Sequence, residues 1–266
     1  MPALTMTIEG IGFWAPGLPD WPAVCALLNG DPDRPGDSPN RPAATSLSPA
    51  DRRRAPDSVL LACEVAAQAA AMARRDPATL TSVFVSTQGD LAITDYLCRT
   101  LAANPHELSP TRFHNSVHNA PAGYWTIASG CHAPSTAISA WNASFAAGLL
   151  EAATQALCER TPVLLVAYDT AACGPLIGVS PGSVLFGAAL VVAPEPGAHA
   201  LAGLSLWFDP AAPLPTGPPA CLCGLAAANP MAAGGMALLA ALAADRSSRV
   251  TLAGAAGPAL AIEVTR

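Results

Sequence analysis

The chain has 266 residues and a formal net charge of −6, with 12% charged and 52% hydrophobic residues. That length and composition fit one large domain with a substantial core and exclude wholesale disorder. All 13 basic residues are Arg, which excludes Schiff-base lysine chemistry, a complete Walker-type phosphate loop and a protein-kinase site.

The acidic balance, with a pI near 5.2, argues against a nucleic-acid partner. The one compact basic run is Arg52-Arg53-Arg54. Met1 to Gly12 shows no basic region ahead of an apolar stretch, and Gly, Ser, Thr or charge interrupts the longest apolar runs. A cytoplasmic protein with no secretory signal and no membrane insertion is expected. The eight cysteines include no C-x-x-C pair, and Cys221-Leu222-Cys223 has no second cluster. Reduced thiols and no metal site are expected.

Leu4 to Gly12 reads as a first strand, because Thr5, Thr7 and Glu9 alternate with Met6, Ile8 and Ile11. Residues 31–50 are rich in Pro, Gly, Ser, Asn and Asp and read as a surface loop. Pro56 to Arg75 reads as an alanine-rich helix, Ser82 to Ser86 as a buried strand, and 91–103 as a helix stopped by Asn104-Pro105. Tyr124 to Ser129 reads as a third strand, followed by a long helix from about Ser135 to Glu159. Val163 to Tyr168 and Val184 to Val192 read as a fourth and a fifth strand.

The order β-α-β-α-β-α-β-β predicts a layered α/β fold with a mostly parallel sheet, its last two strands antiparallel at an edge. Further on, Leu201 to Phe208 is strand-like and 209–220 reads as loop. Pro230 to Ala244 reads as a helix, and Arg249 to Val264 as two strands around Gly254-Ala255-Ala256-Gly257-Pro258.

The densest cluster of unusual residues is SPTRFHNSVHNAPAGYWTIASGCHAPS, Ser109 to Ser135, with His114, His118, Cys131 and His132. Read between a strand and the start of a long helix, Cys131 would meet a helix N-terminus that stabilises thiolate. It is a candidate nucleophile; a small buried hydrophobe is the alternative. His114 and His118 lie four apart and could share a helix face. Pro110 and Pro121 flank them and no acidic residue lies between Glu107 and Glu151, which favours a structural role over a metal site.

The run into a long small-residue helix resembles the nucleophile elbow of β-ketoacyl synthases of the thiolase superfamily. The chain resembles in particular the short, chain-length-factor type found in aryl polyene and xanthomonadin-type pigment clusters. GIGFWAPGLPDW (10–21), DRRRAP (51–56), VFVSTQGD (83–90), SPTRFHNSVHNAPAGYW (109–125) and SFAAGLLEA (144–152) carry the resemblance. It implies one thiolase-like domain over 1–266, with a complete first half (1–195) and a strongly truncated second half (196–266).

Full condensing enzymes draw two histidines and a lysine from the second half. Here no His follows His199 and there is no Lys. The resemblance therefore implies a subunit that pairs with a full-length β-ketoacyl synthase in type II fatty acid or polyene biosynthesis and shapes its acyl tunnel. An acyl carrier protein would reach it through that complex, with Arg52 to Arg54 as a contact or as a solvated charge run. No cofactor is implied. The strand at 124–129 would form the interface, and Phe113, His114, His118, Tyr124 and Trp125 would line interface or tunnel. Trp141 and Phe145 are further aromatic candidates, with core packing as the alternative. The rival expectation is an active condensing enzyme or acyltransferase that is acylated on Cys131.

Overall fold

The computed structural model describes residues 3–31, 40–180, 182–212, 214–254 and 257–266. Eight strands form one sheet: β1 (Leu4–Trp14), β2 (Thr81–Val85), β3 (Ser135–Ile138), β4 (Val163–Asp169), β5 (Phe186–Ala193), β6 (Ala202–Asp209), β7 (Ser248–Leu252) and β8 (Ala259–Thr265). Their spatial order is β3-β2-β4-β5-β1-β6-β8-β7. β5 is apolar along its whole length and β4 as far as Ala167, and both are buried throughout, as strands covered on both faces must be.

Helices cover both faces. On one face α3 (Asp57–Met72) packs across β1, β5 and β4, and its alanines let it sit close. Two glycines of β1 make that approach feasible. A Cβ at Gly12 would stand 2.0 Å from the Val65 carbonyl oxygen, and one at Gly10 would stand 2.2 Å from that of Ala69. On the other face lie α7 (Ser144–Glu159) and α9 (Pro230–Ala243), which pack against each other and the sheet through Phe145, Leu149, Met236 and Leu239. Truncating fully buried Leu149 to Ala is expected to cost about 2–5 kcal/mol. Shorter helices are α1 (Trp21–Leu28), α2 (Pro49–Arg54), α4 (Leu91–Ala103), α5 (Pro110–His114), α6 (Ala120–Ser129) and α8 (Cys223–Ala228).

Three expectations are corrected. Residues 124–129 belong to helix α6, not to a strand; Pro121 lies in its first turn and Gly130 closes it in the left-handed conformation. The third strand is β3, and the long helix expected from Ser135 starts only at Ser144. The sheet is mostly antiparallel: only β2–β3 and β2–β4 run parallel. β5 returns antiparallel between β4 and β1 in the middle of the sheet, because the described residues of the β4–β5 connection carry only a 3₁₀ turn (Gly174–Gly178) and no crossover helix. Of the predicted loop at 31–50, residues 32–39 lie outside the described residues, as do Ala255 and Ala256 of the final turn. Among the described residues no helix is long and apolar enough to cross a membrane.

Candidate functional site

The carboxyl ends of parallel strands are where α/β folds expose backbone and side chains to a ligand. Here those ends belong to β2, β3 and β4. β3 turns into α7 through a tight elbow, residues 139–143. Ser139 Oγ donates to the Thr87 carbonyl at 2.7 Å, tying the elbow to the end of β2. Buried Ser144 accepts from the Ala140 N–H at 2.9 Å and donates to the Trp141 carbonyl at 2.6 Å. Between these two bonds Trp141 is held at φ +50°, in the left-handed region. For a bulky side chain that conformation costs about 1–3 kcal/mol. The elbow is held by hydrogen bonds at both of its ends, and behind it α7 sits tightly on the sheet: a Cβ at Gly148 would stand 2.8 Å from Val85 Cγ1.

Beneath the elbow lies a buried carboxylate. Asp169, at the end of β4, accepts hydrogen bonds from Ser86 Oγ (2.8 Å), the Thr87 N–H (2.8 Å) and Thr87 Oγ1 (2.5 Å). Burial pushes its pKa up to about 6 even though these hydrogen bonds pull it down. Asn229 links the same point to α9. Its Nδ2 donates to the Asp169 and Val184 carbonyls, and its Oδ1 caps the helix by accepting from the Met231 and Ala232 N–H groups. One polar cluster thus fixes the ends of β2 and β4, the elbow and the start of α9.

Cys131 is not in this elbow. It follows α6, and its N–H donates to the Thr126 carbonyl at 2.9 Å. The thiol is buried and donates to the Leu80 carbonyl at 3.4 Å. The helix end beside it is a C-terminus, the opposite pole from one that assists an anionic nucleophile. The residue that the elbow presents is the indole of Trp141.

The aromatic candidates divide. Phe113, His114 and Tyr124 line an open groove of about 770 Å³ with Val117 and Ile127. Its wall is one face of α6, on which Ala120, Gly123, Tyr124 and Ile127 recur at helical spacing. Phe113 and Ile127 are 62% and 81% exposed, so this apolar face has no cover among the described residues. Trp125 points the other way, into the core beneath α3. His118 is half-buried; its carbonyl accepts from the Tyr168 hydroxyl at 3.3 Å, and its Nε2 has no partner among the described residues. Phe145 is core, against α9. Arg54 pairs with Asp51 at the groove rim (3.1 Å), and Arg52 binds the Ala43 carbonyl. Among the described residues no group of three or more His, Cys, Asp or Glu could hold a metal.

Next to this groove the sheet ends. Among the described residues β3 is an edge strand bonded only to β2. The Ser82 and Ser86 N–H groups donate to the Pro134 and Ile138 carbonyls. By strand alternation the backbone groups of Ser135 and Ala137 therefore face outward.

A family model described as "Beta-ketoacyl synthase, N-terminal domain" matches residues 29–184, more than half of the chain. The chain belongs to that β-ketoacyl synthase family. A comparison with curated protein sequences returns no match.

Among solved structures, this chain is similar to one titled a ketosynthase (ApeO) in complex with its chain length factor (ApeC) from Xenorhabdus doucetiae. The identity is 24% and the TM-score 0.69, covering 98% of this chain and 99% of that one. It is also similar to the ishigamide ketosynthase/chain length factor (15%, TM-score 0.71, 98% and 99%). A third is a type II polyketide acyl-carrier protein in complex with its ketosynthase, AntDE:AntF (12%, TM-score 0.70, 100% and 99%). At these identities the likeness establishes the fold alone, which is thiolase-like.

Sequence reasoning missed the elbow. Pro121 and Gly130 were the available signals for α6, and moving the strand to 135–138 puts Trp141 at the turn. No residue type announces its positive φ, since that position has no glycine.

Proposed function

We propose that this chain is a chain-length-factor-like subunit that pairs with a full-length β-ketoacyl synthase. The observation that carries the reading is the elbow. In the β-ketoacyl synthase pattern this turn presents the acyl-accepting nucleophile, and here it presents an indole in a strained, rigidly held turn. The chain also has no Lys and no His after His199, so the donors that would stabilise an enolate and an oxyanion during condensation have no source in the second half.

What the chain does offer is an open strand edge beside an uncovered apolar groove. The partner's strand adds to β3, and the groove lined by Phe113, His114, Val117, Tyr124 and Ile127 becomes part of the wall of the acyl tunnel. The interface strand of this reading is 135–138, and His118 and Trp125 support the groove from behind. Residues 1–266 act as one cytoplasmic domain. An acyl carrier protein reaches the complex through the synthase, with exposed Arg53 and Arg54 available to its acidic surface. Support comes from the similar structures: two are titled as ketosynthases with chain length factors, and one includes an acyl-carrier protein. The alignments cover 98–100% of this chain and 99% of each of those chains. A role in aryl polyene or related polyene assembly is the pathway this reading favours.

The test is to purify the chain with the β-ketoacyl synthase encoded beside it, measure solution mass, and assay elongation with acyl- and malonyl-carrier protein. A 1:1 heterodimer whose product is unchanged by Cys131→Ala is expected. Stable acylation of Cys131 in intact-mass spectra, with product lost in Cys131→Ala, would overturn the reading in favour of an active condensing enzyme or acyltransferase. A homodimer that ignores the synthase would also overturn it.

A further inference from the structure

The side chain of Trp141 is left without a role by the tunnel and the strand edge. Its backbone is strained at φ +50°, a conformation that Gly or Asn adopts at far lower cost. Two hydrogen bonds through Ser144 and one through Ser139 hold it there. Yet the indole supports little of the chain's own core, since 53% of the residue is exposed. A residue that strains the backbone and leaves half of its surface in water gives its own fold less than its size allows, which points to a role outside that fold.

Position indicates what that is. Trp141 lies three residues beyond Ile138, where the outward-facing edge of β3 ends. A two-fold-related strand added to that edge runs antiparallel, so the turn after β3 comes to lie beside the segment that precedes the partner's strand. Rigid, half-exposed tryptophans of this kind are the residues that dominate binding at interfaces, because they bury a large area and lose little side-chain entropy.

We infer that Trp141 is the principal anchor of this chain on its synthase partner, seated in a pocket beside the partner's own edge strand. The inference rests on the heterodimer reading and adds to it the residue on which affinity turns.

Trp141 also reports on itself. Of the five tryptophans, Trp14, Trp21 and Trp125 are buried and Trp207 is half-buried. Acrylamide quenching of the free chain, read against Trp141→Phe, isolates the Trp141 signal. The experiment compares wild type with Trp141→Gly, Trp141→Asn and Trp141→Phe in two measurements: thermal unfolding of the isolated chain, and affinity for the full-length synthase encoded beside it.

Protection of Trp141 from acrylamide on adding the synthase is expected. So is a Kd at least ~30-fold weaker in the Gly and Asn variants. Their unfolding midpoints should stay within about 3 °C of wild type, because the new residues suit the backbone. Wild-type binding with unchanged affinity in the variants, or with Trp141 still quenched in the complex, overturns the anchor and leaves the heterodimer standing. So does a loss of affinity that merely follows a loss of stability. Failure of the wild-type chain to bind the synthase overturns the heterodimer and the anchor together.

Discussion

The two edges of the sheet are finished in different ways. At β7 the outer edge is closed by the chain itself. The Thr216 N–H donates to the Thr251 carbonyl at 2.8 Å, and the Thr251 N–H donates back to Thr216 Oγ1 at 2.9 Å. Arg249 on the same strand pairs with Asp209 at 2.7 Å and lies 4.8 Å above the Trp207 ring. Capping and charge are the usual ways to stop an edge from recruiting another chain. At β3 neither is present among the described residues. The strand is short and uncharged, and exposed Phe113, Val117, Ile127 and Trp141 accompany it. One fold thus contains a sealed edge and an open one, and the open edge lies on the side of the elbow and the groove.

The sharpest way to break that contrast is a proline. In Ala137→Pro an outward-facing N–H is lost while the β2–β3 ladder, which uses the alternate residues, is spared. The expected result is synthase affinity weakened by ~100-fold or more, about 2.7 kcal/mol, with the isolated chain still folded by circular dichroism. Full affinity in a folded Ala137→Pro chain would show that β3 is not where the partner adds.

The next effect concerns what holds the open side in shape. Asp169 has a folded-state pKa of about 6, against roughly 4 when unfolded. Between these values the folded chain keeps a proton that the unfolded chain has released. The resulting stabilisation is complete below about pH 4 and is lost as pH rises through 6, an effect of roughly 2–3 kcal/mol. Urea midpoints should therefore fall between pH 4.5 and 7.5. In Asp169→Asn this part of the slope should vanish, leaving the variant at least as stable as wild type at pH 7.5. An unchanged slope in the variant would assign the pH dependence to other groups.

The sealed edge gives the complementary test. Thr216→Val removes the acceptor for the buried Thr251 N–H but keeps the Thr216 N–H in place. Leaving that donor unpaired should cost about 1–2 kcal/mol in unfolding free energy and leave synthase affinity untouched. A loss of pairing in this variant would mean that β7 also contributes to the interface.

Much of this architecture was legible because it is local. α4 was readable at 91–103 from its Asn104-Pro105 stop, and β4 and β5 stood out as short apolar runs. The failures cluster where distant partners decide. Tyr124 to Ile127 has the aromatic and β-branched make-up of a strand, yet it is helical because Ala122 and Trp125 bury together against α3. Ser135 to Ile138 is only four residues long and becomes a strand by pairing with β2, more than fifty residues away in sequence. Strand direction is likewise set by pairing, so the antiparallel majority was invisible. Phe113, His114 and Tyr124 stood out because a histidine- and aromatic-rich segment is chemically conspicuous, and the structure places them on one groove. Asp169 was not singled out, because one carboxylate at the end of an apolar run becomes unusual only once its burial is known.

The smallest expected effect lies at the turn that leads into the open edge. Cys131 fills a buried position between α6 and β3, with its thiol on the Leu80 carbonyl next to the start of β2. Cys131→Ala removes one sulfur and one weak hydrogen bond, which should cost about 1 kcal/mol in unfolding free energy. Synthase affinity should stay within about twofold, because Ala137 and Trp141 are presented by β3 and the elbow rather than by this turn. Cys131→Ser keeps the size of the side chain but buries a more strongly polar hydroxyl. Its stability should match that of Cys131→Ala only if the Leu80 carbonyl accepts the new donor, so the pair measures how closely this turn is packed. A structural thiol predicts that both variants form the heterodimer and lose only stability. A thiol that works chemically predicts the reverse, with stability kept and product lost.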